Sequence, residues 1–357
     1  MNCKSVLILR PHKKDQGGVA NYYNLVTKYF NFRKFVLEQF YIGSDNKICW
    51  QNKRIFKTIF DLYSLCSIFH KFDLIIINPS LDIKAVLRDG LFHLIAKYFY
   101  KRRTIVFFRG WTPNLENKID KYGKTIFRII FNSDVICVLS DKIKKKLIKW
   151  GCNPKKIIVE TTTFEGYKKK RNLNLNKIVF LSRFVKNKGS LHAIKTIELL
   201  IPDFPSVHLF MAGDGELIRE LLDYVKKNNL DGHVTFTGYV SGNKKNDVLS
   251  QCGIMLYPTF YGEGMPNSLL EGMGMGLVPV TRPVGGIPDI IKDGKNGFLV
   301  DSSDPEEFAS RIRDLIKNPH IWRSMSNINF KEAWEKFEVR NVVIRLEKIY
   351  RESLNTL

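Results

Sequence analysis

The chain has 357 residues, of which 44% are hydrophobic and 26% charged, a length that favours two domains and a composition ample for two cores. Its net charge of +22 is unevenly placed: residues 1–172 hold 34 Lys and Arg against 13 Asp and Glu, whereas residues 173–357 hold 23 against 22. No apolar run approaches the roughly 18 residues that span a bilayer, and the six cysteines (3, 49, 66, 137, 152, 252) are scattered without a Cys-x-x-Cys, which argues against a disulfide framework or metal site and fits a reducing cytosol.

The first half alternates β-rich runs with amphipathic stretches. Lys4–Arg10 reads as a strand, Val19–Phe30 as a helix and Phe35–Tyr41 as a strand. Asp73–Asn78, Thr104–Phe108, Asp134–Leu139 and Ile157–Thr161 continue the strands, with helices at Lys84–Tyr100, Lys118–Phe131 and Asp141–Trp150 between them. The segment 1–165 is therefore expected as one domain. Residues 166–176 (GYKKKRNLNLN) are polar, basic and aperiodic, which predicts a linker.

A second alternating series fills 177–336. Its strands are Ile178–Ser182, Val207–Ala212, Val234–Thr237, Ile254–Tyr257, Val278–Thr281 and Gly297–Val300, and its helices begin near Lys188, Gly215, Asn243, Asn267 and Asp304. Buried strands alternating with helices imply an α/β fold with parallel sheets covered on both faces, and ligands at the carboxyl ends of the strands. The last segment, 337–357, carries a strongly amphipathic helix that can cross back to cover the first domain.

The most informative stretch is 262–273, GEGMPNSLLEGM. Pro266 beside Asn267 and Ser268 marks a helix start, whose free N–H groups favour an anion. Gly262 and Gly264 allow a ligand close to the main chain. Glu263 precedes the helix, and Glu271 sits among Leu269, Leu270 and Met273, where a carboxylate is costly unless sugar or ribose hydroxyls donate to it. An anion at a helix end with hydroxyls held by two acids describes a nucleoside diphosphate sugar.

Other loops add to this. Ser182–Gly189 (SRFVKNKG) places Arg183 and Lys188 after a strand, a planar fork and a compact charge that suit a diphosphate, although taken alone the loop reads better as a solvated turn with ordinary surface cations. Gly17-Gly18 before a helix is the form of a close-approach anion loop, or simply a flexible turn. Gly238 to Val240 ends a strand and can meet a flat base. Asp214 reads best as a helix cap, and Gly285-Gly286 and Asp293-Gly294 as turns.

From Gly262 to Val300, with the Glu-x7-Glu pair and GGIPDII-DG-NGFLV, the chain resembles retaining GT-B glycosyltransferases of family 4, bacterial polysaccharide type. The likeness extends to SRFVKNKG, AGDGE (212–216), VTFTGYV (234–240) and GGVAN (17–21), so it covers the second domain well and the first thinly. It implies two Rossmann-like domains facing a cleft, an acceptor-binding first domain and a nucleotide-sugar-binding second one. It also implies catalysis without a metal or cofactor, from a UDP or GDP sugar donor. By this resemblance Arg183 and Lys188 hold the diphosphate, while Glu263 and the amides of Gly264, Met265 and Asn267 hold the sugar beside Pro266. Glu271 takes the ribose, and Gly17 and Gly18 approach the phosphates. Where such enzymes carry a His after a first-domain strand, this chain has Arg109, which stays protonated.

The resemblance implies a glycan or lipid-linked glycan acceptor. The Lys-, Asn- and Ile-rich usage suggests an AT-rich bacterial genome and surface polysaccharide assembly (capsule, O-antigen or exopolysaccharide). The basic first half then suits the anionic inner face of the cytoplasmic membrane, with Lys84–Arg103 as the docking surface, and the protein is expected in the cytoplasm or peripheral on that face. No nucleic-acid module is recognisable. The alternative, motivated by Arg109, is a catalytically impaired GT-B-like subunit that binds glycan or a partner enzyme.

Overall fold

The computed structural model describes all residues except 1–2, 14, 16, 32–34, 43–50, 167–171, 263 and 356–357, and all side chains of the described residues except those of 51–55 and 113. Two compact units result: residues 1–163 with 339–357, and residues 164–338.

The first unit runs β1 (Lys4–Arg10), α1 (Gly18–Tyr29), β2 (Phe35–Tyr41), α2 (Gln51–Ile68), β3 (Leu74–Ile77), β4 (Ser80–Leu81), α3 (Ile83–Leu94), β5 (Arg103–Phe107), β6 (Gly110–Trp111), α4 (Pro113–Lys118), α5 (Lys124–Ile130), β7 (Val135–Val138), α6 (Asp141–Lys149) and β8 (Ile157–Val159). The parallel sheet has the order β2-β1-β3-β5-β7-β8, and β4 and β6 form a separate parallel pair. β3 reads Leu-Ile-Ile-Ile and is wholly buried because helices cover both faces. On one face Leu7, Leu9, Ile75 and Ile77 meet Leu65, Phe69 and Phe92 from the α2 and α3 region. Val106, Ile136 and Val138 continue that face against Phe127 of α5 and Ile143 and Leu147 of α6. Register confirms one surface, since Ile77 pairs with Val106 and Val106 with Ile136. Against the other face lie α1 and a helix from the far end of the chain, α14 (Val339–Asn355). There Phe30 stacks on Tyr350 at 5.8 Å, and Arg345 grips the buried Glu160 at 2.7 Å.

The second unit runs β9 (Asn174–Leu181), α7 (Ser190–Leu200), β10 (His208–Ala212), α8 (Ile218–Lys227), β11 (Val234–Gly238), α9 (Gly242–Leu249), β12 (Cys252–Tyr257), α10 (Asn267–Met275), β13 (Val278–Thr281), α11 (Ile287–Ile290), β14 (Phe298–Leu299), α12 (Pro305–Lys317) and α13 (Pro319–Glu332). Its parallel order, β11-β10-β9-β12-β13-β14, reverses direction between β9 and β12. That is the crevice where open α/β sheets take their ligands. Phe164 pairs with Glu338 in a parallel bridge, so the unit's entry and exit segments lie side by side.

The α/β class with two Rossmann-like parallel sheets is the one the sequence predicts. Three details differ. α2 falls where no helix is expected, because its apolar residues line two sides and blur the 3.6 period. The stretches expected as single helices at Lys84–Tyr100 and Lys118–Phe131 are interrupted by π-turns at Ile95–Phe99 and Ile119–Gly123. β9 begins at Asn174, inside the segment expected as linker, whose residues 167–171 lie outside the described residues.

Candidate functional site

In the second unit three loops meet at the carboxyl end of the sheet, and glycines set how closely. Gly189 adopts φ +82°, and a Cβ there would lie 2.2 Å from the carbonyl oxygen of Pro258. The loop after β9 therefore lies directly on the loop after β12, an approach only glycine permits. The Phe260 N–H donates to the Asn187 carbonyl at 2.8 Å and reinforces the contact. A Cβ on Gly213 would come within 1.9 Å of the Ser182 carbonyl oxygen, and the Gly213 N–H donates to Gly238 O at 3.0 Å. The loops after β9, β10 and β11 are thereby fastened in register.

Of the two cations in the first of these loops, Lys188 is buried and its Nζ lies 4.0 Å from the Tyr261 ring centroid. Arg183 is exposed. A cation over an aromatic face is attracted by the ring's quadrupole, which helps fix the position of the Lys188 ammonium. Arg282, directly after β13, stands 4.3 Å over the Phe260 ring and also reaches Asp301. Sequence reasoning passed it over, although a cation just past a strand is the same signal that drew attention to Arg183.

The loop after β12 ends in Gly264, the buried Met265 and Pro266, the last being the N-cap of α10. Among the described residues no side chain caps this helix, and no acid occupies its first turn. The Pro266 carbonyl accepts from Leu269, so the amides of Asn267 and Ser268 precede the intrahelical ladder, at the helix end that favours negative charge. The Gly264 carbonyl accepts from Gly286 N at 2.8 Å. The Gly285-Gly286 turn thus braces the loop, a role that its sequence, read as a turn, did not disclose. Glu263 lies outside the described residues.

Glu271, one turn into α10, accepts from Lys245 Nζ at 2.7 Å, and both side chains keep about a fifth of their surface in solvent. Lys245 belongs to α9, the helix that follows Gly238–Val240. Gly238 is exposed with φ +68° and open space beside it, and Val240 is half-buried. Tyr239 is 64% exposed. Asp214 accepts from Gly215 N at 2.7 Å, a local turn contact; it does not cap the next helix as its sequence suggests, because α8 starts only at Ile218 with Leu217 as its N-cap.

The first unit carries its own cluster at the carboxyl end of its sheet. Gly17 is the N-cap of α1, and both Gly17 and Gly18 have open space where a side chain would stand. Arg109, two residues past β5, is turned inward. Its Cζ lies 3.4 Å from the Phe107 centroid, 3.7 Å from that of Tyr22 and 5.3 Å from that of Tyr23. Its Nε donates to Asn78 Oδ1 at 3.3 Å, the atom that also accepts from Tyr23 Oη at 2.7 Å. Among the described residues Nη1 and Nη2 are buried without an acceptor, and Tyr22 Oη is buried without a hydrogen-bond partner; burial pushes the pKa of that hydroxyl well above the usual tyrosine range. Asn78, Tyr22 and Tyr23 were not singled out from sequence, because nothing in a strand end or an apolar helix face marks them. Among the described residues no group of three or more His, Cys, Asp or Glu is placed to hold a metal ion.

Residues 163–333 match the family model described as "Glycosyl transferases group 1". The chain is 28% identical over 224 residues to an uncharacterized glycosyltransferase of Methanocaldococcus jannaschii, covering 62% of this chain and 60% of that protein. It is 23% identical over 223 residues to a putative colanic acid biosynthesis glycosyltransferase of Salmonella typhimurium, covering 60% and 55%. The chain thus spans less than two thirds of the length of these relatives. Among solved structures, HepE of Anabaena in complex with UDP-glucose superposes with a TM-score of 0.70 at 17% identity, covering 98% of this chain and 99% of that one. The fold is GT-B.

Proposed function

We propose that this chain, a GT-B protein carrying a glycosyl transferases group 1 domain at residues 163–333, is a retaining glycosyltransferase. It moves a sugar from a nucleoside diphosphate to a glycan or lipid-linked glycan in bacterial surface polysaccharide synthesis. The observation that carries the reading is the N-terminus of α10, acid-free in its first turn and uncapped among the described residues, set behind Gly264–Pro266 at the point where strand order reverses. A diphosphate fits there, with Lys188 and Arg183 on the neighbouring loop. Glu271, oriented by Lys245, takes the ribose hydroxyls. Gly238 and Val240 offer backbone to the base. Glu263 is assigned to the sugar by family resemblance. The Anabaena protein's UDP-glucose makes UDP the first nucleotide to try.

Cleavage of the anomeric C–O bond leaves positive charge on the sugar and negative charge on the departing diphosphate. Lys188, Arg183 and the α10 amides stabilise the latter, so this reading calls for no divalent ion. The acceptor hydroxyl attacks from the leaving-group face and gives its proton to a phosphate oxygen, which retains the anomeric configuration.

The test is donor hydrolysis and calorimetric binding with UDP and GDP sugars. Wild type binds one of them, and Lys188→Ala lowers kcat by about a hundredfold. Absence of both binding and hydrolysis would leave the second reading, an impaired subunit that binds glycan or a partner. One observation favours that alternative: Arg109 is buried and enclosed by Tyr22, Tyr23 and Phe107.

A further inference from the structure

The helix layer over α2, α3 and α5 has apolar residues on both its sides. Its inner side fills the core of the first unit. On α2 the outer side carries Phe56, Ile59, Phe60 and Tyr63, which are 58% to 76% exposed and spaced i, i+3, i+4, i+7. On α3 the exposed residues are Ile83, Leu87 and Leu91, one turn apart, and beyond them the π-turn exposes Tyr98 and Phe99. At and within α5 they are Tyr122, Ile126 and Ile129. α2 packs beside α3 and α3 beside α5, so three apolar stripes lie on one side of one layer. In the second unit, by contrast, exposed large apolar residues occur singly, as with Leu199, Leu222 and Ile321. Single ones are ordinary, but stripes on three adjoining helices mark an interaction surface.

Charge decides the occupant. Lys84, Lys101, Lys121 and Arg128 are exposed around the stripes. The acids of α2 and α3 are not: Asp61 is buried beside Lys57, and Asp89 is buried beside Arg88. Glu116 and Asp120 are held by Lys146, and their other oxygens take the indole N–H groups of Trp111 and Trp150. The outer surface therefore offers apolar stripes with cations and few competing carboxylates. A second copy of the chain would set these cations against their own kind across a two-fold axis. An anionic bilayer surface satisfies both features, with apolar side chains entering the acyl boundary and Lys and Arg meeting headgroups. No described helix is long and apolar enough to cross a membrane.

We propose that the outer face of α2, α3 and α5 is an interfacial membrane-docking surface, in which α2 inserts its Phe56–Tyr63 stripe into an anionic leaflet. This goes beyond the basic segment 84–103 and does not depend on the donor reading, since it would hold of a chain with no transferase activity.

The test is flotation with vesicles of phosphatidylcholine alone and of phosphatidylcholine with phosphatidylglycerol, at low and high salt. The protein is expected to float with the anionic vesicles and to keep part of that binding at high salt. The triple variant Phe60→Ser, Tyr63→Ser, Leu87→Ser loses at least about tenfold in partitioning with its melting temperature and circular dichroism unchanged. A Tyr63→Trp indole is quenched by brominated lipid. The proposal is overturned if the protein does not bind anionic vesicles, if the triple variant binds as well as wild type, or if the indole is not quenched. It is equally overturned if wild type runs as a dimer that the triple variant dissolves.

Discussion

Lys245 Nζ lies 2.7 Å from Glu271 Oε1 and ties α9 to α10. The two residues are 26 apart in sequence and come from helices that follow non-adjacent strands. Replacing Lys245 with Ala leaves the carboxylate free to turn. Nucleotide affinity should then weaken by about 1 kcal/mol, roughly fivefold in Kd, and Lys245→Arg should recover most of it. Isothermal titration with the nucleotide that wild type binds measures this. Unchanged affinity in Lys245→Ala would show that the pair does not position Glu271.

Gly189 is the second point of leverage. Any side chain there must push the Pro258 carbonyl aside and adopt a left-handed backbone. Gly189→Ala should destabilise the second unit by about 3 kcal/mol or more, read from urea unfolding. A comparable Ala substitution at Gly238, which has open space but φ +68°, should cost only about 1 kcal/mol.

Arg345 and Glu160 form a mostly buried pair, with Arg345 Nε and Nη2 both donating to the carboxylate. Arg345→Met strands a buried charge that, among the described residues, keeps the Thr161 contacts alone, and should cost about 3 kcal/mol. Adding Glu160→Gln should return much of that loss, because the double change removes the charge as well as its partner. Denaturation of the four-member cycle measures the coupling.

His93 makes stability depend on pH. It is buried in the first unit; Nδ1–H donates to Ile130 O at 2.6 Å, and Nε2 accepts from the Thr104 hydroxyl at 3.1 Å. Burial is the main reason its pKa falls from 6.5 to about 4. The folded state therefore refuses a proton that the unfolded state accepts. Stability is untouched above pH 6.5, declines as pH falls toward about 4, and then levels off. The integrated loss is about 3 kcal/mol. Urea titrations across that range should show the decline, and His93→Gln should flatten it.

The fold class was legible because β1, β3 and the strands of the second unit read as compact apolar runs between turn signals. Pro266 likewise announced the start of α10 from sequence. What could not be read was anything that depends on two sides at once. α2 escaped notice since Leu65 faces inward while Phe60 and Tyr63 face outward, so its apolar residues do not cluster on one stripe. The aromatic enclosure of Arg109 joins residues from α1 and from the end of β5, and Lys245 reaches Glu271 across two loops. Such partnerships between distant segments leave no local pattern in a single sequence. Gly285-Gly286 was read as a turn, which it is, but the carbonyl that it braces belongs to another loop.

The placement of α14 has a consequence for the order in which the protein is completed. The first unit holds the residues synthesised earliest, yet it needs Tyr350 against Phe30 and Glu347 to accept from Asn31 N. Those partners leave the ribosome only after the whole second unit has emerged. The second unit can close on its own residues, whereas the first must wait with its α1 face uncovered. Of the two units, the one whose sheet comes first in sequence is thus completed second, and loss of α14 damages the unit built mainly from residues 1–163.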